Sequence, residues 1–208
     1  IHEMDIALWG LGVDGWPETV SSTGGRFQWQ DDGQTPNTQI ASFRFPEAQL
    51  TFDVRNLPTP PEGGGAVKGP NYVGNIFFGT AGFLVLDHSG FELWKSSAGD
   101  VSGEAARGAG AGNREKYEKA VSEPGSGEPT EPHMKNFLDA VRSRDYSSLH
   151  AEIAIGARSA AFCHLGNIAY RAGRTLKMDR NARFAGDAEA NDMLTRKYRA
   201  PYVIEMEV

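Results

Sequence analysis

The sequence predicts an α+β domain: a broad, mostly antiparallel open sheet with helices packed on one face. Three observations predict it. Short stretches alternate apolar and polar residues with a period of two, as in Leu50-Thr51-Phe52-Asp53-Val54-Arg55. About six such stretches follow one another with no long helix between them, so neighbouring strands run antiparallel. Two helical patterns follow late in the chain and supply a layer to cover the sheet.

Each element has its own local reason. Met4, Ile6, Ala7, Leu8 and Trp9 read as a short helix that runs into Gly10-Leu11-Gly12-Val13-Asp14-Gly15. That hexapeptide matches G-x-G-x-x-G, but a dinucleotide-binding turn needs a strand before the glycines and a helix after them. Here a helix comes first and Trp16-Pro17 opens a connector, so Gly10 and Gly12 read as a helix end and a turn. Gly108-Ala109-Gly110-Ala111-Gly112 fails the same test and reads as a loop. Phe27 and Trp29 alternate with Gln28 and Gln30 and predict a first strand; TQIASFRFP, ending at Pro46, and the stretch from Leu50 to Arg55 predict a second and a third. NLPTPPEGGGAVKGPN is loop. YVGNIFFG, FLVLD and FELWK predict three further strands joined by tight turns, and the polar, glycine-rich stretch 96–129 predicts a mobile excursion.

Met134, Phe137, Leu138 and Val141 fall at i, i+3, i+4 and i+7, with Thr130 as N-cap and Pro132 in the first turn. A second helix is predicted from Ser148 to Ala172, stopping at Gly173. It is apolar on two sides and so is expected to lie buried between layers. A polar helix over Ala188–Arg196 and a strand YVIEMEV complete the expectation.

Composition excludes several classes of function. With 208 residues and 39% hydrophobic content the chain can bury one domain's core. A net charge of −6 argues against nucleic acid or an anionic membrane as partner. No apolar run of about 18 residues predicts a transmembrane helix. The one cysteine, Cys163, excludes an internal disulfide framework and a multi-cysteine metal site, and no His/Asp/Glu set has specific metal-ligand spacing. Ile1-His2 leads directly into helix-like sequence with no signal peptide or capping residue before it, so the chain is expected to be a piece of a longer protein. The compartment, cytoplasmic or periplasmic, stays open.

Few residues present themselves for chemistry. His2 and Asp5 are spaced i, i+3 and share a helix face; a histidine beside a carboxylate can shuttle a proton, or the pair can be a polar surface turn. Cys163 and His164 are adjacent in the long helix, about 100° apart, so they cannot pair and read as packed core residues. His133, in the first turn of its helix, faces either a cleft or water, while His88 and His150 read as turn and helix-start residues. Trp9, Trp16, Trp29 and Trp94 could stack on sugars, or serve as core or interface.

The segment around IHEMD, followed by a meander, VGNIFFGTAGFLVLD, HMKNFLDAVRSRD and AAFCHLGNIAYRAGRTLKMD, resembles the C-terminal domain of the glucose–fructose oxidoreductase/inositol dehydrogenase (Gfo/Idh/MocA) family, in its bacterial subgroup. The resemblance runs over nearly all of Ile1–Val208 and weakens over 96–129. It implies that residues 1–208 are a single substrate-binding and oligomerisation domain, with the Rossmann domain that binds NAD or NADP lying outside this chain. No cofactor is then expected in the chain itself. His2 and Asp5 match the last two functional positions of the family's D-x-G-x-H-x-x-D motif. His2 would take the proton of a substrate hydroxyl and Asp5 would hold the substrate; His133 is added as a substrate-binding candidate. Ala157-Arg158 stands where relatives often carry His-Leu or His-Ile, a departure that puts one substrate contact in doubt. The implied partners are a small carbohydrate substrate and a second copy of the chain through the sheet face. A relative that cleaves glycosidic bonds with no net redox change, and a non-enzymatic dimerisation or carbohydrate-binding module, are the alternative readings.

Overall fold

Antiparallel pairing dominates the computed structural model, whose described residues are 1–27, 30–56, 73–96, 117–125 and 130–203. The class is α+β, and the strands fall into two four-stranded sheets rather than one continuous sheet. The chain divides into two compact units: Leu11–Leu57 with Ala157–Val208 and Ile1, and His2–Gly10 with Pro58–Gly156.

In the first unit, β1 (Thr19–Gly25), β2 (Thr38–Arg44), β3 (Gln49–Arg55) and β8 (Leu176–Lys177) are ordered β3-β2-β1-β8. The first strand lies upstream of the expected Phe27–Gln30 alternation. Thr19-Val20-Ser21-Ser22-Thr23 is rich in β-branched and small side chains and pairs along its whole length with β2, from Thr19↔Arg44 to Gly25↔Thr38. Phe27 instead follows the strand, its backbone N–H and C=O both bonded to the Asn37 side-chain amide, while Gln28 and Trp29 lie outside the described residues. The period of two assigns the two faces. Val20, Ala41, Phe43, Phe52 and Leu176 share one face by register, and Thr19, Ser21, Thr23, Ser42 and Thr51 share the other.

The helix α3 (Ile153–Ala172), all but its first turn, covers the apolar face. Phe162 is fully buried and its ring meets Phe43 at 5.4 Å, Trp16 at 5.7 Å and Phe45 at 6.0 Å. Trp16 is thereby half-buried at the edge of this core. Gly166 lets the helix approach until an added Cβ would stand 3.1 Å from Ala41 Cβ. Gln39 ties the layers by donating to Ser22 Oγ (2.9 Å) and to the Gly166 carbonyl (3.3 Å).

Five expectations for this region need correction. The helix starts at Ile153, because Tyr146–Ser148 forms a separate 3₁₀ turn capped by Asp145. It is buried along one side and not between layers: Ser159, Phe162, Leu165, Gly166, Ile168 and Ala169 are buried, while Ile153 is 79% exposed. His164 is exposed and Cys163 half-buried, so neither is a packed core residue. Gly173 ends the helix with φ +65°, the left-handed conformation that a glycine accepts without cost. The terminal helix α4 is shorter than expected, Ala188–Asp192, and is capped by the Asp187 carboxylate on the Ala190 N–H. Tyr202 and Val203 are not in a strand; the remainder of YVIEMEV lies outside the described residues.

In the second unit, β4 (Gly74–Gly79), β5 (Gly82–Asp87), β6 (Gly90–Ser96) and β7 (Tyr117–Pro124) pair in sequence order. Two tight hairpins join the first three strands as expected. At Gly82 (φ +153°) a side chain would collide with the Trp94 carbonyl, so the turn requires glycine. Strand β7 was hidden in the stretch read as a mobile excursion. Its polar sequence YEKAVSEP pairs from Ser96↔Tyr117 to Gly90↔Pro124, with a bulge at Leu93/Trp94. The stretch expected as loop after Asn56 and the Gly108–Gly112 segment lie outside the described residues. Two helices belong to this unit: α1 (His2–Leu11), all but its last residue, and α2 (Thr130–Ser143). The α2 apolar stripe forms as predicted, yet Met134, Phe137, Leu138 and Val141 remain 43–50% exposed.

Among the described residues no helix is long and apolar enough to cross a membrane.

Candidate active site

The helix α1 is amphipathic in a way that fixes which side is available. Met4, Ala7 and Leu8, spaced i, i+3 and i+4, are 0%, 3% and 4% exposed and form its buried side. His2 and Trp9 lie on the opposite stripe and are exposed, with Asp5 half-buried on the shoulder. The acidic residues Glu3 and Asp5 sit in the first turn, where the unpaired N–H groups favour negative charge.

A third stripe of α1 meets β4 within the same unit. Asn75 Nδ2 donates to Glu3 Oε2 at 2.8 Å. Two turns further on, Gly10 lies so close to the Phe77 ring that any Cβ there would overlap it. Sequence reasoning missed both contacts. The available signal was an asparagine placed by the β alternation on the same face as Phe77, opposite Leu86.

The candidate residues are distributed unevenly. His2 and Asp5 stand one turn apart on the outward side of α1, as their spacing predicts. His133 is exposed in the first turn of α2, and no hydrogen bond or ion pair joins it to His2 or Asp5 among the described residues. His2 likewise makes no side-chain hydrogen bond or ion pair among them. His88 and His150 are exposed turn residues.

The Gly10–Gly15 turn does not have the form of a dinucleotide-binding turn. Gly10 lies in the last turn of α1 instead of following a strand, Gly12 (φ +60°) and Gly15 (φ +75°) are turn residues, and the next element along the chain is the strand β1 and not a helix. Arg158 holds the turn instead: one guanidinium nitrogen donates to the Val13 and Gly15 carbonyls at 2.6 and 2.8 Å, and the cation lies 5.7 Å from the Phe162 ring centre. Among the described residues no group of three or more His, Cys, Asp or Glu could hold a metal ion.

Two further groups of side chains stand apart from α1 in sequence. Arg174 bonds both oxygens of Asp187 (3.0 and 2.8 Å) and Glu189 (2.9 Å). The Arg174 hydrogen bond, followed by the Ala190 N–H, holds the Asp187 carboxyl below its ordinary range, and the two carboxylates raise the Arg174 guanidinium in turn. Across the second sheet, Phe78, Phe83 and Trp94 form an aromatic row, with ring centres 6.2 and 5.9 Å apart. Lys119 lies 5.1 Å over the Trp94 ring and pairs with Glu92 at 2.7 Å; Phe78, at the far end, is 78% exposed. Trp9, by contrast, is 58% exposed on α1 and stacks on no ring among the described residues.

Comparison with known proteins places this geometry. Residues 119–204 match the model described as "Oxidoreductase family, C-terminal alpha/beta domain", GFO_IDH_MocA_C2. The protein yvaA of Bacillus subtilis, provisionally termed an oxidoreductase, superposes with a TM-score of 0.52 at 13% identity, over 86% of this chain and 51% of that one. A Klebsiella pneumoniae protein, termed likewise, superposes with a TM-score of 0.53 at 9% identity, over 93% of this chain and 50% of that one. At these identities the likeness is one of fold, and the chain spans about half the length of the structures it matches. No curated protein matches it. Residues 119–204 are thus similar to the C-terminal domain of Gfo/Idh/MocA oxidoreductases, and the chain shares its fold with the two solved structures.

Proposed function

We propose that this chain is the substrate-binding and oligomerisation part of an NAD(P)-dependent oxidoreductase that acts on a hydroxyl of a sugar, polyol or glycoside. The observation that carries the reading is the outward-facing His2–Asp5 pair on α1, in a chain whose residues 119–204 match an oxidoreductase domain. His2 takes the proton of the substrate hydroxyl as the carbon beneath it is oxidised, and Asp5 accepts a hydrogen bond from a neighbouring hydroxyl to fix the ring. His133 is a secondary substrate contact. The nucleotide is held by residues outside this chain, so these 208 residues alone do not turn over.

Self-association through a sheet face completes the reading, supported by the exposed Phe78 end of the aromatic row. The same row also favours a second reading, a carbohydrate-binding module without catalysis, because stacked rings beside Lys119 and Glu92 suit a sugar's apolar face and hydroxyls. One experiment separates them. The complete reading frame is purified and denatured, and the supernatant is assayed for NAD(H) and NADP(H). Near-stoichiometric nucleotide supports the oxidoreductase; no release and no binding in titration overturns it in favour of the module.

A further inference from the structure

We propose that Asn75 is a positioning residue for the His2–Asp5 pair, acting through Glu3. Its bond to Glu3, together with the seat of Phe77 against Gly10, fixes the rotation of α1 on β4. The inference rests on the reading of His2 and Asp5 as proton-transfer and substrate-holding groups, and adds what aims them.

The buried Met4, Ala7 and Leu8 set which side of α1 faces inward, and two contacts on a neighbouring stripe set its final angle. Glu3 and Gly10 are seven residues apart, two turns of helix, and so lie on the same line along it, about 10 Å apart. Asn75 and Phe77 are alternate residues of β4 and therefore share a face, about 7 Å apart. The hydrogen bond of 2.8 Å fixes one point, and the ring that leaves no room for a side chain on Gly10 fixes the other. Asn75 stands in register with Leu86, which in turn faces Phe91, so its amide occupies an apolar stretch of sheet and needs a polar partner there. His2 precedes Glu3 by one residue, about 100° round the helix. A roll of about 20° would swing an imidazole lying about 6 Å from the axis by about 2 Å. A misplacement of about 1 Å is enough to cost about 100-fold in rate.

The test reads the orientation of His2 directly, without a substrate. The chain is labelled with [13C]histidine, and the His2 imidazole Cε1–H signal, one of five, is assigned by its loss in His2→Ala. Asn75→Ala and Glu3→Ala are expected to shift the His2 signal alike. The double variant should shift it no further, and His88, His150 and His164 should stay in place. Glu3→Gln keeps an oxygen acceptor for Asn75 and is expected to hold the signal at its wild-type position. An unmoved His2 signal in Glu3→Ala, or an equal shift in Glu3→Gln, overturns the proposal. Should Asn75→Ala unfold, seen as collapse of all five signals, the Glu3 pair decides alone. In the full-length enzyme Asn75→Ala should lower kcat 10- to 100-fold and raise KM as well, because Asp5 turns with His2. A shifted His2 signal with full kcat retained in His2→Ala would refute the catalytic reading of His2 while leaving the orientation of α1 intact; an unmoved signal with an inactive His2→Ala enzyme would do the reverse.

Discussion

Exchanging one methyl group across the helix–sheet contact tests how the first unit is held together. Gly166 faces Ala41, and a Cβ added to it would stand 3.1 Å from Ala41 Cβ and 3.5 Å from Phe43 Cζ. In an unhindered helix Gly→Ala stabilises by about 1 kcal/mol. Here that gain meets a methyl-to-methyl contact several tenths of an ångström too short. Ala41 is 4% exposed on the central strand β2, bonded on both sides to β1 and β3, so it cannot retreat cheaply. Overpacking of this kind costs about 1–3 kcal/mol. The net expectation for Gly166→Ala is a loss of about 1 kcal/mol.

Gly156 provides the control on the same helix, because it is exposed and nothing lies within 4 Å of its would-be Cβ. Gly156→Ala should therefore gain about 0.5–1 kcal/mol from propensity. Combining Gly166→Ala with Ala41→Gly removes the clash from the other side. The double variant should recover most of the loss, with a coupling of at least about 1 kcal/mol. Equilibrium urea unfolding of the wild type, the three single variants and the double variant measures all of this. If Gly166→Ala gains as much as Gly156→Ala, the close approach of α3 to β2 is refuted.

The other predictions concern the site, the turn and the acid limb. His2→Ala in the full-length enzyme should lower kcat by about 10²–10⁴-fold with nucleotide content unchanged, measured by nucleotide absorbance under saturating substrate. Arg158→Met keeps the stem but loses two carbonyl hydrogen bonds and the contact with Phe162; a loss of about 2 kcal/mol is expected in urea unfolding, and a change under 0.5 would show that the clasp on Val13 and Gly15 does not hold the turn. The lowered carboxyl of Asp187 is stabilising above the carboxylate's unfolded range, and this is lost as pH falls below about 4 through its folded value. Asp187→Asn keeps the cap on Ala190 but not the charge, so its melting temperature should fall less than the wild type's between pH 5 and pH 3.

The legible parts of the fold were those where one physical signal dominates. Leu50, Phe52 and Val54 alternate cleanly, and β3 formed there; the two hairpins with Gly82 and Gly90 at their turns formed because only glycine meets the partner strand so closely. The misread parts were polar elements held by pairing rather than by burial. β1 has Ser and Thr where an apolar alternation would be sought, and β7 has Glu, Lys and Ser; both gain their order from a full ladder with a neighbour that the sequence of one strand does not name. The long helix misled in the opposite direction. Alanine and isoleucine on both sides suggested two partners, but Ile153 and Ile155 are solvent-facing, and the burying side is set by Phe162 and Gly166.

The candidate site divides along the same line. His2 and Asp5 were legible because helical spacing alone puts them one turn apart, a local fact independent of what α1 packs on. What aims them was not, because Asn75 is 72 residues from Glu3 along the chain and a hydrogen bond between them leaves no periodicity to read. A polar residue on an apolar strand face is the one trace such an anchor leaves, and it names the need for a partner without naming the partner. Gly10 carries the complementary lesson. It enters the sequence as one letter of an apparent nucleotide-binding pattern, yet what requires glycine there is the Phe77 ring, and that requirement belongs to the seating of α1 and not to any phosphate.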